Sequence, residues 1–539
     1  MTETPPAGAP RPGPVPGPDL GGAPGPVPDP GPVPDPGPVP DPDPVPDPGP
    51  VPADGPAAAP PPGCPAHGAA APGTAGGTDE GAVNLFAPES VADPMATYER
   101  LRARHGPVAP VRLADDIEAW LVLGYRENLE VARTPSRFNR DSRNWRPFVE
   151  DRVPADSPLR PLTEWKPVCR FFDGEDHRRV RSALNDSMAR FNRRGIRRHV
   201  SRYAGRLVDG FAGRGEADLI GEFVEHLPML VMTQLFGLPD EEGPRLVAAC
   251  KDVMDGADTA VDSNAYIVKV FQELVTRKRA QPGNDLASWL IGHEEGLSDL
   301  EVVQHLRVIL VIANETTISL IASALRMVLT DARFRATLAG GHMTLPDAVE
   351  QVLWDEPPFL TLVGRWATGD TELGGQRIRA GDLMLMGIAA GNADPAIRPD
   401  LTVPMLGNRS HLAFGGGAHE CPGQDISRAI ADTGVDTLLS RLPDLRMSVA
   451  EDELHWNKAW VTRHLAALPV EFTPVRPASR TGTTTGTGAA TGLLPEAAAR
   501  AGAPVPGPQP QPVAPAPEPA PAPAAPAGLR GRVRRLLRR

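Results

Sequence analysis

Apolar residues organise this chain through their spacing. Between about Asn185 and Trp289 they fall three and four apart with charges between them, which predicts a series of helices. A longer helix is predicted from Asp299 to about Arg333. Ser298 and Glu301 form a capping box at its start, and Leu297 with Val302 supplies a hydrophobic staple. Val308 to Ile312 is apolar on every side, so this helix should run through the core. A shorter helix is expected from Asp347 to about Asp355, stopped by Pro357-Pro358. Ala119 to Leu123 reads as a strand, with Gly124-Tyr125 as the turn after it. Further short strands should follow Pro358, turning at Gly374-Gly375 and Gly381-Asp382. A last helix reaches about Arg441, and Leu468 to Phe472 forms the closing strand.

This patterning is missing at both ends. Proline (65) and glycine (54) concentrate there, and Gly-Pro-Val-Pro-Asp-Pro recurs from Gly25 to about Pro50. Such a segment favours extended polyproline II with no core to bury. The expected plan is a disordered acidic tail over 1–83, a globular body over 84–477, a disordered Thr/Gly/Pro/Ala-rich linker over 478–527 and a basic amphipathic end over 528–539. In that end Leu529, Val533, Leu536 and Leu537 share a helical face among six arginines. It suits an anionic membrane surface or an acidic partner, against the alternative of a solvated Arg-rich terminus.

The net charge of −12 is uneven: −9 over residues 1–80, +6 over 478–539 and −9 between them. A mildly acidic body argues against nucleic acid as a partner. No run of about eighteen apolar residues predicts a membrane span, and no basic-then-apolar leader predicts secretion. Four scattered cysteines, Cys64, Cys169, Cys250 and Cys421, make a poor disulfide framework and fit a cytoplasmic setting. Cys64 and His67 lack the second ligand pair a zinc site needs.

One stretch carries dense chemistry. His411 to Gly423 packs glycines, Phe414, His419 and Cys421 into thirteen residues. A thiolate on iron needs backbone N–H groups aimed at sulfur and glycines that let the chain approach the ring. Gly415, Gly417 and Gly423 can allow that approach, Phe414 can keep water from the sulfur, and His419 can bond a haem propionate.

Phe414-Gly415-Gly416-Gly417-Ala418-His419-Glu420-Cys421-Pro422-Gly423 resembles the haem-binding signature of cytochrome P450 monooxygenases, Phe-Gly-x-Gly-x-His/Arg-x-Cys-x-Gly. The resemblance spans about residues 84–477 and implies a mainly α fold with small β-sheets (α+β), haem b (iron protoporphyrin IX) on Cys421, and oxidation of a small, apolar substrate by dioxygen. With no flavin or iron–sulfur domain in view, it implies an external ferredoxin-type electron donor. His177 and Arg181, one helical turn apart, resemble the family's His-x-x-x-Arg and would face a propionate, as would Arg365. Ala313-Asn314-Glu315-Thr316-Thr317 resembles the oxygen-activation segment. Dioxygen reduction consumes protons, and Glu315 beside Thr316 would relay them through water. The plainer reading of Thr316 is a bond to a carbonyl one turn back. Phe359 to Val363, with Ile312, would line the substrate pocket.

Two departures stand out. Ala313 replaces the family's kink-forming glycine. Gln351-Val352-Leu353-Trp354 replaces Glu-x-x-Arg, and Pro399 to Pro404 lacks the usual arginine. Losing a whole buried ion network can be nearly neutral where losing one member is not. The expectation is therefore a coordinated replacement, leaving the Cys421 loop without an ionic brace. These departures and the tails also motivate a rival of another class, a non-catalytic haem-bearing binding or sensor protein.

Overall fold

The computed structural model describes residues 82–255, 259–331, 344–405, 407–458 and 460–475. The expected disordered tails, the Cys64 stretch and the basic amphipathic end all fall outside these residues. Within them the chain is helical with small sheets, as expected.

Four helices place the functional groups: α1 (Gly174–Ala189), α2 (Asp299–Thr330), α3 (Leu345–Asp355) and α4 (Gln424–Arg441). The capping box at α2 is present, with the Ser298 and Glu301 side chains each accepting the other's backbone N–H. Leu297 and Val302 are buried beside it. α2 is apolar enough, at mean hydropathy 1.8, and long enough to cross a membrane by composition alone, but most of it is buried in the largest hydrophobic cluster. It is the core helix expected from the sequence.

A six-stranded sheet flanks the helices. Its strands are β1 (Val83–Asn84), β2 (Val108–Arg112), β3 (Glu118–Val122), β4 (Phe138–Asn139), β5 (Thr361–Ala367) and β6 (Leu383–Gly387). They lie in the order β1-β2-β3-β6-β5-β4. The predicted turn at Gly124-Tyr125 is instead the start of a helix, Tyr125–Arg133, with Gly124 at its N-cap. Asp394 accepts the Tyr125 N–H at 2.8 Å, a long-range bond that local turn propensity cannot reveal.

The pairing of β5 with β6 shifts register between Leu362 and Arg365. Gly364 sits in that irregularity at φ +116°, a backbone state that side chains rarely adopt. A second, largely sheet-borne hydrophobic cluster includes Val363 and Trp366 and is touched by Val308 of α2. The sheet thus borders α2.

Candidate active site

The loop from His411 to Gly423 is shaped by its own backbone. The Gly415 N–H bonds to Leu412 O at 2.7 Å and the Cys421 N–H to Phe414 O at 2.9 Å. Gly415 and Gly417 have φ of +73° and +68°. A Cβ on Gly417 would lie 2.6 Å from Ala132 O, so no other residue fits there without movement. Gly423 donates its N–H to the Cys421 sulfur. Burial pushes the Cys421 thiol up, against that bond and the charges of Arg181 and Arg428. The free thiol therefore keeps its proton, and a metal ligand here would have to displace it, helped by the Gly423 N–H and the two arginines.

Three predicted cofactor residues meet on one side of this loop. His177 of α1 is buried, and its ring stacks 4.0 Å from that of His419. Arg181, one turn on, donates to Glu420 O. Arg365 is buried on β5 and donates to Phe138 O at 3.3 Å and Ala132 O at 3.2 Å. Asp173, just before α1, accepts from His419 at 3.1 Å and lies 4.0 Å from Arg365. Burial, then neighbouring arginines, drive His419 well below the ordinary histidine range. The same causes lower His177 to about 4, against the pull of Asp173. Both rings are neutral at pH 7.

The sequence reading missed Arg140. Its guanidinium is enclosed, forms no ion pair among the described residues, and has a buried Nε without a partner. Arg365 Nε and His177 Nε2 are likewise buried and unpartnered. Unpaired donors around a single carboxylate match a cofactor that brings its own carboxylates. The thiol, the glycines and these donors all fit a haem with its propionates.

The loop is braced by charge after all. Glu350 on α3, 3 % exposed, accepts from two of the three Arg428 nitrogens, Nε at 2.6 Å and Nη2 at 3.2 Å. It also meets His411 at 3.0 Å and Arg409 at 3.4 Å. Burial works against its ionised form, yet His411 and Arg428 prevail and hold the carboxyl below its ordinary value. The expected replacement by uncharged residues is correct at Gln351 and Trp354 alone. Gln351 Oε1 accepts the Met405 N–H at 2.7 Å, and Trp354 Nε1 donates to Asn408 O at 2.8 Å. Pro399 to Pro404 holds no arginine, but Arg398 just before it is buried and 2.7 Å from Asp355. The ionic contacts thus use the positions flanking Gln351 and Trp354, which point about 100° away from them on the helix.

On the other side, α2 presents Val308, Ile309, Ile312, Ala313 and Thr316 half-buried, although most of the helix is buried. Their spacing places them on one face. Thr317 Oγ1 lies 3.3 Å from Ser427 Oγ of α4, which fixes this segment beside the helix that follows Cys421. Thr316 Oγ1 donates to Ile312 O at 2.9 Å, the one-turn-back bond anticipated as the plainer reading. Glu315 points elsewhere, to His464 Nδ1 at 3.0 Å. His464 Nε2 in turn lies 3.1 Å from Asn457 at the surface. The two predicted relay residues are adjacent in sequence but hold separate partners.

No family profile matches the chain. Among curated proteins it is 31% identical over 399 residues to the 2-hydroxy-5-methyl-1-naphthoate 7-hydroxylase of Streptomyces carzinostaticus, covering 71% of this chain and 95% of that protein. It is 31% identical to cytochrome P450 107B1 of Saccharopolyspora erythraea, over 68% of this chain and 93% of that one. It is 32% identical to the monooxygenase PikC of Streptomyces venezuelae, over 72% and 93%. Of solved structures, CYP154C4 from Streptomyces sp. W2061 superposes with a TM-score of 0.65 at 27% identity, over 72% of this chain and 97% of that chain. The myxobacterial CYP267B1 in complex with myristic acid superposes with 0.64 at 30% identity, over 72% and 98%.

Proposed function

The chain belongs to the cytochrome P450 family, and from that premise we propose that it hydroxylates a small, largely apolar molecule with electrons from an external ferredoxin-type protein. It is a monooxygenase, an oxidoreductase whose cofactor is haem b. When bound, the haem supplies dioxygen activation, and thiolate ligation favours O–O cleavage.

Each residue has a role in this reading. Cys421 is the iron ligand, its negative charge steadied by the Gly423 N–H and by Arg181 and Arg428. Phe414 screens the sulfur from water and is itself held under the Arg428 guanidinium, 4.5 Å from its ring. His177, Arg181, Arg365 and His419, with Arg140, hold the propionates. Gly415, Gly417 and Gly423 keep the loop close to the ring. Ile312, Ala313 and Phe359 to Val363 line the substrate side. Thr316 offers a hydroxyl to that pocket, and Glu315 would exchange protons with His464, whose ring is held by Asn457. The 3.0 Å Glu315–His464 contact supports such a path.

A cleft lined by Arg181 with Glu420 and Asp425 lies against Cys421. A second is lined by Arg193, Arg197, Arg409 and Arg428, with Glu350, Asp425 and Asp432 among them. The exposed arginines of this second cleft offer the positive charge that an acidic electron donor would meet. The relatives are named hydroxylases and monooxygenases, which gives the non-catalytic sensor reading no support. We also place the enzyme in the cytoplasm, with the proline-rich ends outside the catalytic body.

The observation that carries the proposal is Cys421, faced by the Gly423 N–H within a loop that turns at Gly415 and Gly417 through positive φ. The test is a reduced carbon-monoxide difference spectrum. The wild type should give the red-shifted thiolate Soret band, and Cys421→Ala should lose it. A folded wild-type protein without that band overturns the ligand assignment. Product formed only in the presence of substrate, dioxygen and a surrogate ferredoxin system tests turnover.

A further inference from the structure

Asp173 is the carboxylate that Arg140 and Arg365 feel, and the histidines beside it are neutral. Arg170 stands apart from that group. Arg170 lies on the segment leading into α1, and its Nη2 donates to Leu162 O at 2.9 Å and approaches Val363 O at 3.4 Å. Its charge is met by these carbonyl dipoles and by the Phe171 ring, 5.2 Å away, and burial lowers it to about 10. Lys166, four residues earlier, has one weak partner, Glu164 at 3.9 Å. Both Arg170 and Arg307, from the neighbouring turn of α2, press on its charge. Neither Arg170 nor Arg307 forms an ion pair among the described residues. Elsewhere arginines in comparable surroundings do, such as Arg146 with Asp382 and Arg179 with Glu301.

Two apolar walls lie nearby. Val308 begins the half-buried stripe on α2, with Arg307 one position before it and about 100° round the helix. Arg170 holds the backbone of Val363 on β5. Trp165 and Phe172, with rings 6.0 Å apart, bracket the segment between them. A desolvated guanidinium that lacks a counter-charge is a strong site for a carboxylate, which it can bind through two parallel hydrogen bonds. Resting on the proposed monooxygenase function, we infer that the substrate is an organic acid: an apolar body lying along α2 and β5, with a carboxylate bound by Arg170 and attracted by Lys166 and Arg307.

The test is spectral titration of the ferric holoenzyme with two matched pairs, dodecanoate with methyl dodecanoate and 1-naphthoate with methyl 1-naphthoate. At least one acid should shift the Soret band with an affinity tenfold or more above that of its ester. Arg170→Gln should remove that preference while leaving ester binding and haem content unchanged. Arg170→Lys should keep part of it, and Lys166→Gln should weaken acid binding by a smaller factor. Equal binding of acid and ester, or no binding of either acid, overturns the inference. So does loss of haem from Arg170→Gln, which would make Arg170 a propionate partner instead. A wild type lacking the carbon-monoxide thiolate band fails on the earlier reading and is distinguished before any titration begins.

Discussion

Gly417 shows how tightly single residues constrain the loop. Its φ of +68° and the 2.6 Å approach of Ala132 O exclude any side chain. Gly417→Ala should cost about 2 kcal/mol or more, since a strained backbone adds to a steric clash. A thermal melt and haem content of the purified variant would check this, and an unchanged melting temperature would contradict it. Thr316 makes the opposite kind of prediction. Its hydroxyl bond to Ile312 O is local, so Thr316→Ala should leave folding within about 0.5 kcal/mol of the wild type. The proposed relay predicts that this variant consumes dioxygen with little product, which an oxygen electrode coupled to product analysis can read. The glycine, cysteine and threonine positions were legible in the sequence because their constraint is local and repeats at fixed spacing. Arg140 and Arg170 were not. In an arginine-rich chain nothing local separates a buried cation from a solvated one, and only the fold decides.

At the scale of elements, α3 and α4 hold the loop between them through Glu350 and Arg428. The sequence located both helices and the departure at Gln351 and Trp354. It did not locate the network, because Glu350 meets Arg428 across 78 residues and the partner's direction depends on how two helices pack. The Glu350 carboxyl is held below its ordinary value, so its contribution to stability is present above about pH 4.5, the unfolded carboxyl range. That contribution is lost as pH falls through the lower folded value. Glu350→Gln strands Arg428 and should cost about 3 kcal/mol at pH 7. The gap in melting temperature between wild type and variant should then narrow as pH falls below the unfolded carboxyl range and through the lower folded value. Melts from pH 7 down to 3.5 measure it, and a gap that stays constant would remove Glu350 as the ionised brace.

For the whole molecule, the question is how much of the chain the catalytic body needs. Both ends of the described body are stitched into it. Val83 and Asn84 pair in parallel with β2, and Leu85 donates to Arg112 O at 2.9 Å. At the other end, Phe472 donates to Gly215 O and Val475 to Ala212 O, at 2.9 and 2.8 Å. The curated relative matched over 399 residues is covered to 95% by about 71% of this chain, so a whole enzyme of this family fits within the body. The proline-rich stretches within the two ends show no apolar periodicity to bury, unlike the short basic end at 528–539. A chain shortened to residues 82–477 should therefore fold alone, with a melting temperature within about 2 °C of the full chain, less than about 2 kcal/mol for a domain of this size. It should also give the same thiolate band per haem. A lost band or a clearly lower melting temperature would mean that an end segment contributes to the fold, and the boundary near Asn84 or Pro477 would have to move outward.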